Sequence, residues 1–344
     1  MKTRTLARPL VLGVAALALL AVLPVSAQSA ETITLRLADF MPTTHYFVHK
    51  ASVPWMDRVV QLSKTKVVFQ HFPAEQLGKH SDQVNILKTG VADVSYCAPG
   101  GRQSDFPVHT FFTLPGIFEN SIESSRFLQQ MLKEGPMTEE YTKFGFRVLL
   151  TWVMPSYEVL TVKKPVQKLE DFKGMKMRTS GAAISNVIRA LGAVSVEIST
   201  PDMLMAMQRG VVDGTTNAYL SAKGYRLDEI CKYATVGAAL SSSVPAWAIL
   251  ETTWQKLPSD VREAMTRANE EIVASVLNYE QEETNRIIAD FAKGGMKIYR
   301  LPADEKARWN QALAPLMDKW AKDIDAKGLP GTRVLDSYKK VKGR

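Results

Sequence analysis

From Thr32 to Ala38 polar and apolar residues alternate with a period of two, through Ile33, Leu35 and Leu37, which predicts a half-buried strand. Lys50 to Leu62 then puts Val53, Met56, Val59 and Val60 on one helical face, and Val67-Val68-Phe69 reads as a second strand. A helix closing at Gly90 leads into a third strand that reaches Tyr96. This β-α-β order predicts a mostly parallel sheet with helices on its faces, and ligands of such sheets gather at the carboxyl ends of the strands.

A second unit follows the continuous apolar strand Arg147 to Val153, which stops at Pro155. Its pieces are a strand from Tyr157 to Val162, a strand from Met175 to Arg178, a helix from Ala182 to Leu191 ended by Gly192, and a helix from Thr200-Pro201 to Arg209 ended by Gly210. Strand-like segments recur around Tyr233 to Leu240 and Ala246 to Glu251. From Pro258 to about Ala292 a helical pattern carries Val261, Met265, Ala268, Ile272 and Val276 on one face, long enough to reach across two domains. A last helix is predicted from Ala303 to Lys327, with Trp309, Leu313, Leu316, Met317 and Trp320 apolar. The chain has 344 residues, which suits two domains with ordinary cores.

The first thirty residues change how the charge is read. Lys2, Arg4 and Arg8 precede an apolar run from Leu10 to Leu23, then Pro24 and the small residues Val25-Ser26-Ala27. This is the layout of a secretory signal peptide, with cleavage expected after Ala27. The run is shorter than the roughly 20 residues that cross a bilayer, and no later stretch is long enough, so a membrane span is not expected. The formal net charge of +8 includes those three basic residues; without them 40 Lys and Arg face 35 acids. A net of +5 is ordinary for an exported protein and does not ask for a nucleic-acid partner. Cys97 and Cys231 are the only cysteines and form no C-x-x-C, so buried free thiols are expected.

Enzyme and nucleotide motifs are missing: there is no G-x-S-x-G elbow, no phosphate loop, and no G-x-G-x-x-G after the first strand. His45 and His49 stand one helical turn apart, but Tyr46 occupies the place where a zinc protease needs Glu. Surface or capping histidines are the expected reading, with no metal and no cofactor.

The most specific pattern is Lys173-Gly174-Met175-Lys176-Met177-Arg178, then Leu191-Gly192-Ala193, then Met207-Gln208-Arg209-Gly210-Val211-Val212-Asp213-Gly214-Thr215-Thr216-Asn217. With Phe72-Pro73-Ala74-Glu75-Gln76-Leu77-Gly78, Lys88 to Asp93 and Leu114 to Phe118, it resembles the substrate-binding proteins of tripartite ATP-independent periplasmic (TRAP) transporters of the dicarboxylate-binding type, over nearly the whole mature chain. The resemblance implies a two-domain α/β periplasmic binding protein, class II-like, with an interdomain cleft, hinge strands and a long helix spanning both domains. It places residues 28–154 and about 243–283 in domain I, and 155–242 and about 284–344 in domain II with the C-terminal helix. It implies a periplasmic receptor, not an enzyme, which takes a small carboxylate and delivers it to TRAP membrane subunits.

On spacing alone, Arg178 reads as an exposed strand-end arginine in a surface ion pair. The resemblance instead assigns it to the substrate carboxylate, which a guanidinium grips through two parallel charge-assisted bonds. Asn217 borders the substrate in the family, whereas Thr200, just before a helix, is expected to cap it. Many relatives carry a second arginine where this chain has Tyr157, and acidic residues where it has Lys79-His80. These departures point to a monocarboxylate with an apolar or aromatic body, such as an aryl or branched 2-oxo acid. Phe40, Tyr96, Tyr157, Tyr219 and Trp247 are the expected aromatic contacts. The rival reading is an exported enzyme acting on a carboxylate, which would have no histidine after His109 to move protons.

Overall fold

The computed structural model describes residues 32–97, 99, 102, 104–118 and 120–343, with Met1. The predicted leader and its cleavage point lie outside the described residues. In chain order the strands are β1 (Ile33–Ala38), β2 (Val67–Phe72), β3 (Val94–Tyr96), β4 (Phe146–Thr151), β5 (Glu158–Thr161), β6 (Lys176–Thr179), β7 (Val194–Glu197), β8 (Gly214–Asn217), β9 (Tyr233–Val236), β10 (Ala246–Leu250) and β11 (Lys297–Arg300). The helices are α1 (Val53–Leu62), α2 (Gln83–Lys88), α3 (Ser121–Lys133), α4 (Thr138–Thr142), α5 (Ala182–Ala190), α6 (Met203–Gln208), α7 (Tyr219–Gly224), α8 (Glu251–Lys256), α9 (Ser259–Lys293), α10 (Ala303–Leu313), α11 (Pro315–Asp325) and α12 (Gly331–Val341).

The strands form two sheets, ordered β2-β1-β3-β10-β4 and β11-β9-β5-β8-β6-β7. In the first sheet β1, β2 and β3 are parallel, and β10 runs antiparallel to β3 and β4. In the second, β5 is the strand antiparallel to both its neighbours. The inverted strands are the ones the chain enters on crossing between sheets, from β4 to β5 and from β9 to β10. These crossings are joined as hinge strands: the Met154 N–H donates to the Ser243 carbonyl at 2.9 Å, and the Tyr157 N–H to the Ser241 carbonyl at 2.7 Å.

Helix α9 makes a third crossing. Its 35 residues extend about 52 Å at 1.5 Å per residue. Val261, Met265, Ala268, Ile272 and Val276 pack into the core of the first sheet with Trp55 and Leu150, while Phe291 joins the core beside the second sheet with Leu160 and Met207.

The predicted C-terminal helix ends early, because Pro315 opens a new helix, α11, after α10. Leu316 at the start of α11 packs beside the second sheet with Leu313, but most of the buried face of α11 and of the unpredicted α12 turns to another cluster. There Trp320, Ile324, Val334, Leu335 and Tyr338 bury against Phe111, Phe112, Phe127 and Met131. The aromatic residues at 111–127 are large and apolar enough to need that cover. Both cysteines are free and buried, and among the described residues no helix is long and apolar enough to cross a membrane.

Candidate functional site

The carboxyl ends of strands from both sheets converge on a cavity of about 660 Å³. From the second sheet come Arg178 near the end of β6, Asn217 at the end of β8, and Ile198 and Thr200 just after β7; from the first come Tyr96 at the end of β3 and Phe40 just past β1. Tyr157, on the hinge, completes the approach. The volume is in the ordinary range for a small-molecule site.

Arg178 lines this cavity yet is only 4% exposed. Side chains alternate along β6, so Met177 enters the core while Arg178 projects to the other face. Its Nε donates to the Ile198 carbonyl at 2.8 Å and its Nη2 to Thr200 Oγ1 at 2.8 Å. Thr200 therefore orients the arginine and does not cap α6, a correction to the sequence reading. Among the described residues no carboxylate lies within ion-pair distance of this guanidinium, and Nη1 has no hydrogen-bond partner. Burial lowers its pKa to about 10, which leaves it cationic at neutral pH.

Its neighbours are polar groups with unused capacity. The Asn217 amide makes only a long contact, 3.9 Å from Nδ2 to Met203 Sδ. Thr216 Oγ1 is buried without a hydrogen-bond partner among the described residues, and Thr216 lines the cavity. Burial, then the positive charge of Arg178, lowers His80 to about 4, so its ring is neutral. Burial raises the phenols of Tyr96, Tyr157 and Tyr225, keeping them protonated.

The second cation on the wall, Arg102, is already neutralised. Its Nε and Nη2 reach Asp105 at 2.6 and 2.5 Å, and Nη1 donates to the Ser81 carbonyl. His45 also faces the cavity, with burial lowering it to about 3. Its Nδ1 accepts from the Phe47 N–H at 3.2 Å, which puts the ring proton on Nε2, 3.1 Å from Ser221 Oγ. His49 is on the surface, and among the described residues no group of three or more His, Cys, Asp or Glu is placed to hold a metal ion.

Of the five predicted aromatic contacts, Phe40, Tyr96 and Tyr157 line the cavity. Trp247 does not: it stacks on Trp152 with centroids 5.7 Å apart, and its Nε1 donates to Asp39 Oδ1 at 3.2 Å. Its ring sits behind Tyr96, 5.0 Å between centroids. Tyr219 is also turned away, its hydroxyl donating to the Thr235 carbonyl at 2.6 Å and its ring against Phe291. Sequence reasoning missed Tyr225, Thr216 and Phe47 as lining residues. Thr216 stood inside the quoted Gly214-Thr215-Thr216-Asn217 run, whereas nothing local marks Tyr225, which a turn after α7 brings in.

Residues 38–323 match the family described as bacterial extracellular solute-binding protein, family 7. A curated relative, the C4-dicarboxylate-binding periplasmic protein DctP of Rhodobacter capsulatus, is 26% identical over 272 residues, spanning 76% of this chain and 79% of the relative. A TRAP solute-binding protein from Rhodoferax ferrireducens, solved with copurified benzoate, has the same fold with a TM-score of 0.83 at 23% identity, covering 90% of this chain and 97% of that one. A marine metagenome TRAP solute-binding protein specific for aromatic acid ligands, solved with 3-hydroxybenzoate, gives a TM-score of 0.84 at 21% identity, covering 90% and 98%.

Proposed function

Because the chain belongs to the bacterial extracellular solute-binding proteins of family 7, we propose that its cavity receives a small monocarboxylate with an apolar or aromatic body. Members of this family are receptors and not enzymes. The observation that carries the reading is Arg178, a buried guanidinium fixed by two neutral acceptors and facing a cavity whose one described acid, Glu197, acts on it only from beyond ion-pair distance. A ligand carboxylate is the missing counter-charge, with Asn217 and Thr216 able to donate to its oxygens. One anion is expected, because Arg102 is spent on Asp105 and position 157 is Tyr. Phe40, Tyr96 and Tyr157 supply the apolar wall, and the aromatic acids bound by the two solved relatives have this chemistry.

Two lobes close over the ligand in this reading. One is residues 28–154 with about 243–283, carrying α11 and α12; the other is 155–242 with about 284–313. The hinge crossings and α9 let them move as bodies, and the closed form is what the membrane subunits of a TRAP transporter take up. Residues 1–27 act as the cleaved leader that sends the receptor to the periplasm. Calorimetry on protein stripped of ligand by unfolding and refolding tests the specificity. Benzoate, 3-hydroxybenzoate or a branched 2-oxo acid is expected to bind in the micromolar range, about −8 kcal/mol, and succinate far more weakly. Tight binding of succinate with none of the monocarboxylates overturns it.

A further inference from the structure

A second cavity, of about 320 Å³, shares no lining residue with the first. It lies where α9, the start of α3 and the hinge strand meet, and Glu280, Glu158, Ser156, Pro155, Val236 and Ile288 are among its walls. Its described lining holds these two acids and no Lys, Arg or His.

Glu280 is 1% exposed. Its Oε1 accepts from the Tyr46 hydroxyl at 2.7 Å and from Trp152 Nε1 at 2.8 Å. Its Oε2 is buried with no well-formed hydrogen bond among the described residues, although the Ser121 hydroxyl stands beside the carboxyl. Glu158, by contrast, is fully used: it accepts from the Thr235 hydroxyl at 2.8 Å and from the N–H groups of Gly237 and Ala238 at 2.9 and 3.0 Å. The cavity is thus walled by a buried carboxyl with one oxygen left without a well-formed bond, by a second acid, and by aliphatic side chains. A metal ion is a poor match, since among the described residues no cluster of three or more candidate ligands exists.

We propose that this hinge cavity is a site for a small organic ammonium compound, its N–H donors directed to Glu280 Oε2 and its alkyl part against Pro155, Val236 and Ile288. Burial pushes the Glu280 carboxyl up to about 8, and an adjacent cation relieves that cost by favouring the ionised form. The site is independent of Arg178 and stands whether or not the main cavity takes a monocarboxylate.

The Trp152 indole N–H, bonded to Glu280, is a built-in reporter. Titrating the native protein at pH 8 with n-propylammonium chloride is expected to move the Trp152 indole resonance in nitrogen-15 NMR with a saturable millimolar profile, while sodium propionate does not. Glu280→Gln keeps an amide oxygen for Tyr46 and Trp152 and is expected to abolish saturation. Ile288→Phe, which narrows the cavity from another wall, is expected to weaken binding at least tenfold. No saturable shift in the native protein, an equal shift with propionate, or unchanged binding in either variant overturns the proposal.

Discussion

A buried arginine with no acid within ion-pair distance is an expensive arrangement, because desolvation of the guanidinium is only partly offset by neutral acceptors. Arg178 has two of these, the Ile198 carbonyl and Thr200 Oγ1, and both hold the head group in place before any ligand arrives. That fixed orientation lowers the entropy cost of gripping a carboxylate. Thr200→Val removes one anchor with little change of volume. Carboxylate binding is expected to weaken by about 1.5 kcal/mol, the low end for a hydrogen bond to a charged group, and the unliganded protein to lose stability of a similar size while staying folded, because a buried N–H of the arginine loses its acceptor. Calorimetry and thermal unfolding measured together check this. Full affinity in the variant means that the Ile198 carbonyl suffices to position the arginine.

At the scale of elements, the Asp213-Gly214 turn shows why a binding motif carries a glycine that touches no ligand. The Asp213 N–H donates to the Lys176 carbonyl at 2.7 Å, and Asp213 Oδ2 accepts from the Lys176 N–H at 2.8 Å, locking β8 beside β6. A Cβ on Gly214 would stand 2.5 Å from the Leu160 carbonyl on β5. Gly214→Ala is therefore expected to push β8 from β5, destabilising the protein by about 1–3 kcal/mol and weakening carboxylate binding as Asn217 shifts. Denaturant unfolding reads the first effect and calorimetry the second; native-like values of both would show that β8 tolerates the methyl. The helices and strands with strong periodicity or a closing glycine were legible in the sequence, as at Gly90, Gly192 and Gly210. Two strands were not: β7 and β11 are largely solvent-facing and mixed in polarity, so they lack the apolar signal that marks the equally short β5 and β6. The break at Pro315 was written in the sequence but overridden by the apolar spacing that continues through it.

For the whole molecule, pattern alone conveyed two α/β units and a long helix, while the resemblance singled out Arg178, which the structure places on the cavity wall. Neither conveyed which aromatic residues look inward. Tyr219 opens α7 just after β8, and Trp247 sits near the start of β10, yet their polar ends are satisfied by Thr235 and Asp39 in the core. That choice depends on partners 16 and 208 residues away, which no local spacing encodes. The same long-range assembly creates the functional geometry, because the cavity exists only where the ends of two separate sheets meet across the hinge. Arg178 is the single unpaired cation in the described wall of that cavity, and on our proposal it holds the ligand's carboxylate. Titration of benzoate into ligand-stripped native protein and Arg178→Ala, side by side, tests it most directly. The variant is expected to stay folded and to lose at least about 2 kcal/mol of binding, roughly thirtyfold; equal affinity in the two proteins would remove Arg178 from the site.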